Sequence, residues 1–294
     1  MAIITDGDRT FFEEHGYVKV SQVVPAELCE AAIDAIWERL GQDPADPATW
    51  YGPPEGMDEH WASRSGGMVE LSHHQALWDN RQYPDLYQAF AELLGEERLW
   101  VSMDRVNMTP PRHPDHPELD RSFVHWDTDI SDVQNMEVQP SGTERIPYGV
   151  QGVLYLADIA ENQGTFQCVP EIYQNIEEWT DVERTLDEDA LEEDIVKVPG
   201  EQGDLVIWDK LLAHGNSSNT AEEPRFAQYI SMSPENFADQ EARHRRVETW
   251  QNRETFGEDP SGWEQTHLDP AELTPLGRKL LGLDPWTGWL NGAR

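Results

Sequence analysis

Residues 123–129 read Phe-Val-His-Trp-Asp-Thr-Asp, a short alternation of apolar and polar side chains that predicts a β-strand. Side chains two residues apart on a strand point to the same side. His125 and Asp127 can therefore bind one metal ion while Trp126 faces the other way. A single His-x-Asp pair often arises by chance, so the pattern needs a third ligand from elsewhere in the chain.

A second histidine, His214, supplies that candidate ligand, and Arg225 follows it after a turn-rich segment. Two imidazoles and one carboxylate are the facial triad that holds Fe(II) and leaves coordination positions open. A guanidinium suits a co-substrate with a free carboxylate, because it can donate two parallel hydrogen bonds. The turn-rich residues 216–223 predict a hairpin that folds Arg225 back towards His214. Composition alone favours a simpler role for Arg225, an ion pair with one of the many acidic residues.

The region from residue 99 to residue 234 has a mainly β pattern. Candidate strands begin in 99–107 and continue at 123–127, 149–157, 165–169, 203–209 and 225–233. Short strands separated by turns, without alternating helices, predict a sandwich or jelly roll rather than βαβ units. The acidic stretch 177–194 is interpreted as a solvated helical insertion.

The flanking regions have helical patterns. The expected helices are 8–14, 25–40, 84–94, 239–251 and 270–281, with a short strand at 17–20 and an irregular loop at 41–65. We expect a single domain in residues 1–294. It would comprise a helical part of about 1–98, a β core at 99–234 and a helical extension at 235–294.

Several further motifs accompany the His-x-Asp pair in a fixed order. They are 11–17 (Phe-Phe-Glu-Glu-His-Gly-Tyr), 160–164 (Ala-Glu-Asn-Gln-Gly), 203–209 (Gly-Asp-Leu-Val-Ile-Trp-Asp), His214 and Arg225. In order and spacing the chain resembles the phytanoyl-CoA dioxygenase (PhyH-like) family of Fe(II)- and 2-oxoglutarate-dependent oxygenases over about residues 10–234. The resemblance implies a double-stranded β-helix, that is, a cupin-like jelly roll with flanking helices.

The resemblance also implies roles for particular residues. His125, Asp127 and His214 would be the catalytic iron ligands, and Arg225, Asn216 and Asn107 would bind 2-oxoglutarate. O2 would be the second co-substrate, with succinate and CO2 released. The family's halogenases lack the carboxylate ligand, so Asp127 favours hydroxylation. Residues 170–173 read Pro-Glu-Ile-Tyr where the family often has Pro-Gly-Ser-His, so substrate contacts of that loop cannot be transferred.

Two other classes of protein stay open at this point. One is a cupin-like metal-binding module without catalysis, and the other is an isomerase or ring-cleaving dioxygenase that needs no 2-oxoglutarate. Arg225 favours the 2-oxoglutarate enzyme over the second class. The remaining histidine pairs, at 73–74 and at 113 and 116, are interpreted as loop or surface residues.

The net charge of the chain limits the classes of molecule that it can bind. Its net charge of −36 comes from 57 acidic residues against 21 basic ones, of which four are lysines. Such a field repels nucleic acid and anionic membranes, so we expect a small-molecule substrate. The N-terminus lacks a signal-peptide pattern and no apolar run approaches a membrane span, which predicts a cytoplasmic protein. The acidic, lysine-poor composition favours halophilic adaptation, with a cationic substrate or mere solubility as alternatives.

Salt should therefore stabilise the fold. Folding brings carboxylates together, and raising KCl from about 0.1 M to about 2 M shortens the screening length from about 10 Å to below about 3 Å. We expect the melting temperature, followed by circular dichroism, to rise substantially over this range. If it stays level or falls, halophilic adaptation is wrong. A rising KM for the substrate at constant stability would instead indicate a cationic substrate.

Overall fold

In the computed structural model of the chain, the described residues are 2–58, 61, 67–120, 122–127, 149–180, 186, 188–236, 239–255 and 261–286. The strands are β1 (Tyr17–Val20), β2 (Met68–Val69), β3 (Leu99–Val101), β4 (Val106–Thr109), β5 (Phe123–His125), β6 (Val150–Tyr155), β7 (Phe166–Cys168), β8 (Val196–Val198), β9 (Leu205–Asp209), β10 (His214–Asn216), β11 (Arg225–Tyr229) and β12 (Met232–Pro234). The helices are α1 (Asp6–His15), α2 (Ala26–Leu40), α3 (Gln75–Arg81), α4 (Pro84–Leu94), α5 (Pro170–Gln174), α6 (Glu177–Thr180), α7 (Glu188–Leu191), α8 (Gln240–Asn252), α9 (Trp263–His267) and α10 (Pro275–Leu281).

Two antiparallel sheets form the centre of the molecule. The larger has the order β1-β9-β6-β11-β4-β2 and the smaller the order β5-β10-β7-β8, while β12 pairs with β3 separately. Neighbouring strands in both sheets are often distant in sequence, as in a jelly roll. The predicted fold, mainly β with flanking helices, is confirmed.

The interior between the two sheets is filled by one apolar cluster. The larger sheet contributes Val153, Tyr155, Val206, Trp208 and Ala227, and the smaller contributes Phe166, Cys168 and Val198. These residues alternate along their strands with residues that face outward, as the period of two requires. The outer face of the larger sheet packs against α2 and α4 in a second, larger cluster. The inward faces therefore form the wall on which a functional site can be built.

Local signals explain where several helices begin and end. Thr5 closes a capping box with Asp8 at the start of α1, and Gly16, in the left-handed conformation, ends it directly before β1. Helix α4 has Pro84 at its first position and Gly95 as its C-cap. Among the described residues, no helix is long and apolar enough to cross a membrane.

The structure corrects several predicted elements. The predicted strand 225–233 is two strands, β11 and β12, which belong to different sheets, and the region 99–107 holds β3 and part of β4. The N-terminal part contributes β1 and β2 to the larger sheet, although only β1 was expected. Helices α3 and α9 were not expected, and 270–281 is helical only from Pro275. Part of the predicted acidic insertion, at 181–185 and 187, lies outside the described residues; the rest includes α6 and α7.

The pairing of β5 with β10 leaves no room for a side chain at Gly215. Gly215 lies opposite Val124, and a Cβ atom added there would overlap the backbone carbonyl of Phe123. Backbone atoms in a paired strand cannot move aside as a flexible side chain can. Glycine at this position therefore allows the two strands to lie at hydrogen-bonding distance.

Gly215→Ala should consequently push β5 and β10 apart. We expect the free energy of unfolding to fall by about 1–3 kcal/mol or more, the usual cost of overpacking, as measured by urea denaturation. Gly7→Ala is the matched control, because a Cβ there would meet only Thr5 Oγ1 at 3.6 Å. Wild-type stability in Gly215→Ala would contradict the tight pairing of these strands.

Candidate metal centre

The three predicted metal ligands lie together at the inward face of the smaller sheet. His214 on β10 is directly opposite His125 on β5 in the antiparallel register, which brings two imidazoles side by side. Asp127 lies two residues beyond His125, just after β5 ends. One ligand atom of each residue lies within 4.8 Å of the others. His125 Nε2 is 3.0 Å from Asp127 Oδ1, and His214 Nε2 is 3.4 Å from Asp127 Oδ2.

Packing fixes His214 more firmly than the other two residues. Its side chain is 5% exposed, against 41% for His125 and 44% for Asp127. His214 Nδ1 lies 2.8 Å from the carbonyl oxygen of Leu212; in the tautomer that binds a metal, Nδ1–H donates to this oxygen and the lone pair of Nε2 is available to the metal. The centre is thus anchored on the His214 side and open on the side of the other two ligands.

The charge state of Asp127 suits a cation. Hydrogen bonds hold the pKa of Asp127 well below its usual range, although burial opposes this. The largest effect comes from His125, followed by His214, and Gln151 adds to it. The group is therefore a carboxylate at neutral pH. Two neutral imidazoles and one carboxylate form the donor set of a facial triad for Fe(II).

Arg225 presents unsatisfied donors inside the same jelly roll. Its side chain is fully buried, and Nη1 donates to Asn107 Oδ1 at 2.7 Å. Nε and Nη2 have no hydrogen-bond partner among the described residues. A buried charge without a counter-charge is costly, so these donors fit an anionic ligand. A carboxylate, which accepts two parallel hydrogen bonds, matches them.

The route by which Arg225 reaches the interior differs from the prediction. The expected hairpin with β10 is wrong, because β10 belongs to the smaller sheet and β11 to the larger. His214 and Arg225 thus come from opposite walls. Asn216 Nδ2 lies 3.4 Å from Tyr229 Oη and links the two strands. On the larger sheet, Tyr229 lies opposite Val153, and Gln151, which hydrogen-bonds Asp127 of the triad, is two residues before Val153 on the same strand. Tyr229 therefore lies between the triad and Arg225 along the sheet.

The two predicted asparagines therefore have different surroundings. Asn107 is 1% exposed and its Oδ1 accepts both from Arg225 and from Thr109 Oγ1, the latter at 2.9 Å. It orients Arg225, whereas Asn216 faces the space between the triad and the arginine. Thr109 was not expected from the sequence; its position opposite Arg225 depends on the pairing of β4 with β11.

The other histidine pairs lie outside this centre. In the loop between β4 and β5, His116 stacks on Tyr51 and His113 lies tilted against the same ring, each with a ring-centroid separation of 4.9 Å. His74 caps α3. His73 lies in the loop before α3, as expected, but its side chain is fully buried, and burial lowers its pKa to about 4.

Fold and site together define a jelly-roll protein with a candidate His/Asp/His metal centre. The model of the phytanoyl-CoA dioxygenase (PhyH) family matches residues 12–227. The chain belongs to this family, as its motifs predicted.

Individual relatives are distant. A protein of Dictyostelium discoideum, whose name provisionally describes it as a phytanoyl-CoA dioxygenase, is 23% identical over 76% of this chain and 74% of its own. Ava biosynthesis cluster protein O of Aspergillus versicolor is 26% identical over 80% and 79%. The crystal structure of the epimerase SnoN in complex with Fe3+, alpha ketoglutarate and nogalamycin RO superposes with a TM-score of 0.54. It is 15% identical, with 92% of this chain and 95% of SnoN covered; this likeness concerns the fold.

Removing His214 should abolish the metal centre. We expect the wild-type protein to retain about one Co(II) or Fe(II) per chain after anaerobic desalting, measured by elemental analysis, because three ligands converge. His214→Ala should retain little. His116→Ala is the control, since that residue stacks on Tyr51 away from the triad. If His214→Ala binds metal as tightly as the wild type, the three residues are not the ligand set.

Proposed function

We propose that the protein is an Fe(II)- and 2-oxoglutarate-dependent dioxygenase that oxidises a small molecule. The observation that carries this proposal is the buried guanidinium of Arg225, whose Nε and Nη2 have no partner among the described residues. It projects from the wall opposite the triad. Family membership supports the same chemistry.

Each part of the site has a role in this proposal. His125, Asp127 and His214 hold the iron and leave adjacent positions open. Arg225, oriented by Asn107, binds the distal carboxylate of 2-oxoglutarate, and Asn216 contacts the co-substrate between the two. When bound, iron and 2-oxoglutarate supply an O2-driven oxidation that yields succinate and CO2. The chain itself supplies position, orientation and an interior lined largely by buried apolar side chains.

The exposed side of the triad favours a substrate that approaches from solvent. His125 and Asp127 are both more than two-fifths exposed, whereas Arg225 lies buried at the other end. The strongly negative chain disfavours nucleic acid. A small-molecule substrate therefore enters beside His125 and Asp127 while the co-substrate occupies the interior.

Hydroxylation is the reaction we propose, because Asp127 occupies the carboxylate position. The fold is shared with an epimerase, so the type of reaction has to be identified from the products. Mass spectrometry of reactions under 18O2 distinguishes the two: a hydroxylase adds one labelled oxygen to the substrate, and an epimerase adds none. Succinate formation without oxidation of the substrate would contradict the proposed hydroxylation.

Arg225→Met tests the assignment of the co-substrate. One hydrogen-bonded charged pair contributes about 1.5–3 kcal/mol, so the KM for 2-oxoglutarate in succinate formation should rise about tenfold or more. Metal binding should survive, because Arg225 does not touch the triad. An unchanged KM would make Arg225 a structural residue.

A co-substrate analogue sharpens this experiment. 2-Oxobutanoate keeps the 2-oxo acid but lacks the distal carboxylate that Arg225 would bind. The wild-type protein should bind 2-oxoglutarate much more tightly than 2-oxobutanoate in anaerobic calorimetry with Co(II), and Arg225→Met should lose most of this preference. If both proteins prefer 2-oxoglutarate to 2-oxobutanoate by the same factor, another group binds the distal carboxylate. Absence of succinate formation with Fe(II) and any 2-oxo acid would favour a non-catalytic metal-binding module.

A further inference from the structure

We propose that Gln151 is a positioning residue that holds Asp127 so that only one carboxylate oxygen binds the metal, and that Trp208 in turn fixes Gln151. This inference rests on the metal centre of the proposed function but not on the identity of the co-substrate. Neither residue was assigned a role at the metal centre from the sequence, although Trp208 lies within the motif at 203–209.

Three side chains form a hydrogen-bonded series from the larger sheet to the metal centre. Gln151 on β6 lies directly opposite Trp208 on β9. Trp208 Nε1 donates to Gln151 Oε1 at 3.2 Å. Gln151 Nε2 donates to Asp127 Oδ2 at 2.7 Å. The series thus crosses from one wall of the jelly roll to a ligand carried by the other.

The direction of these hydrogen bonds is fixed by chemistry. An indole N–H can only donate, and a carboxylate can only accept. The amide of Gln151 must therefore turn its oxygen to Trp208 and its nitrogen to Asp127. A flipped amide would lose both hydrogen bonds, so Trp208 prevents Gln151 from presenting the wrong atom to the carboxylate.

Asp127 needs such a partner more than the two histidines do. It lies beyond the end of β5 and its side chain is 44% exposed. Once His125 and His214 bind a metal through Nε2, they no longer donate to its carboxylate. Gln151 is then the one hydrogen-bond donor to Asp127 that remains in the part of the chain the structure describes.

The hydrogen bond from Gln151 to Asp127 Oδ2 has a direct consequence for coordination. With Oδ2 held by Gln151, Oδ1 is the oxygen that remains for the metal. If both oxygens bound the metal, the carboxylate would occupy a position that a co-substrate or O2 requires. Partners that hold metal ligands in place typically contribute about 10–100-fold in metal affinity.

Trp208 connects Gln151 to a second candidate metal ligand, His214. Its side chain is 2% exposed and its ring lies against that of His214, with centroids 4.9 Å apart. One buried indole thus packs on one ligand and orients the residue that holds another. Replacing it with phenylalanine removes the N–H but keeps an aromatic ring beside His214.

Gln151→Met tests the proposal, because methionine has a similar length and neither donates nor accepts strongly. Co(II) binding without 2-oxoglutarate or O2 provides readouts that do not depend on activity. We expect the Kd for Co(II) to rise about tenfold or more. The visible Co(II) spectrum should also change, because Asp127 becomes free to bind through both oxygens. Unchanged affinity with an unchanged spectrum would overturn the proposal.

Two comparisons separate positioning from general loss of stability. Gln228→Met replaces a fully buried glutamine that bonds Leu77 and Asn80 instead; it should lower the melting temperature and leave the Kd and the spectrum unchanged. Trp208→Phe should weaken Co(II) binding alone but add nothing to Gln151→Met. Full additivity in the double variant would overturn the role assigned to Trp208.

Failure of this proposal can be distinguished from failure of the proposed function. If the wild-type protein binds Co(II) and Gln151→Met weakens it, the positioning role stands even when no succinate is formed. If the wild-type protein forms succinate with Fe(II) but Gln151→Met binds Co(II) normally, the function stands and the positioning role falls. A wild-type protein without Co(II) affinity contradicts both.

Discussion

The antiparallel pairing of β5 with β10 is the constraint on which the site depends. Its register sets His125 opposite His214, and a shift of one residue would turn every side chain of the strand to the other face. Gly215 allows this pairing because its neighbour is the backbone of Phe123. The candidate metal ligands and Asn216 thus come from one wall of the jelly roll. Gln151, Trp208 and Arg225, which are proposed to support them or to bind the distal end of the co-substrate, come from the other wall, so packing between the sheets sets their separation.

Electrostatics gives the two ends of this interior opposite character. At one end, hydrogen bonds keep Asp127 ionised, so the triad attracts a cation. At the other end, two donors of the buried Arg225 guanidinium have no partner among the described residues, so the group attracts an anion. Leaving such donors unpaired costs stability in the free protein, and a carboxylate ligand would offset that cost. A molecule with a metal-binding group at one end and a carboxylate at the other fits this arrangement.

Strong local signals could be read from the sequence, whereas contacts between distant segments could not. Helix α4 begins and ends at the predicted residues because Pro84 and Gly95 mark its limits. The His-x-Asp alternation and the family motifs correctly brought His125, Asp127 and His214 to one place, although their roles stay predictions. The hairpin before Arg225 was wrong because a turn-rich segment can also cross between sheets. Gln151 was missed because its role depends on Trp208 and Asp127, and no pattern within β6 reports either neighbour.

An anaerobic calorimetric titration of 2-oxoglutarate, with and without Co(II), tests the joint site most directly. If the triad and Arg225 form one site from opposite walls, 2-oxoglutarate binds about one per chain to the Co(II)-loaded protein. It then binds far more weakly to the metal-free protein, and glutarate, which keeps both carboxylates but lacks the 2-oxo group, binds weakly in either case. Equal affinity with and without metal, or no binding to the loaded protein, would contradict a shared site.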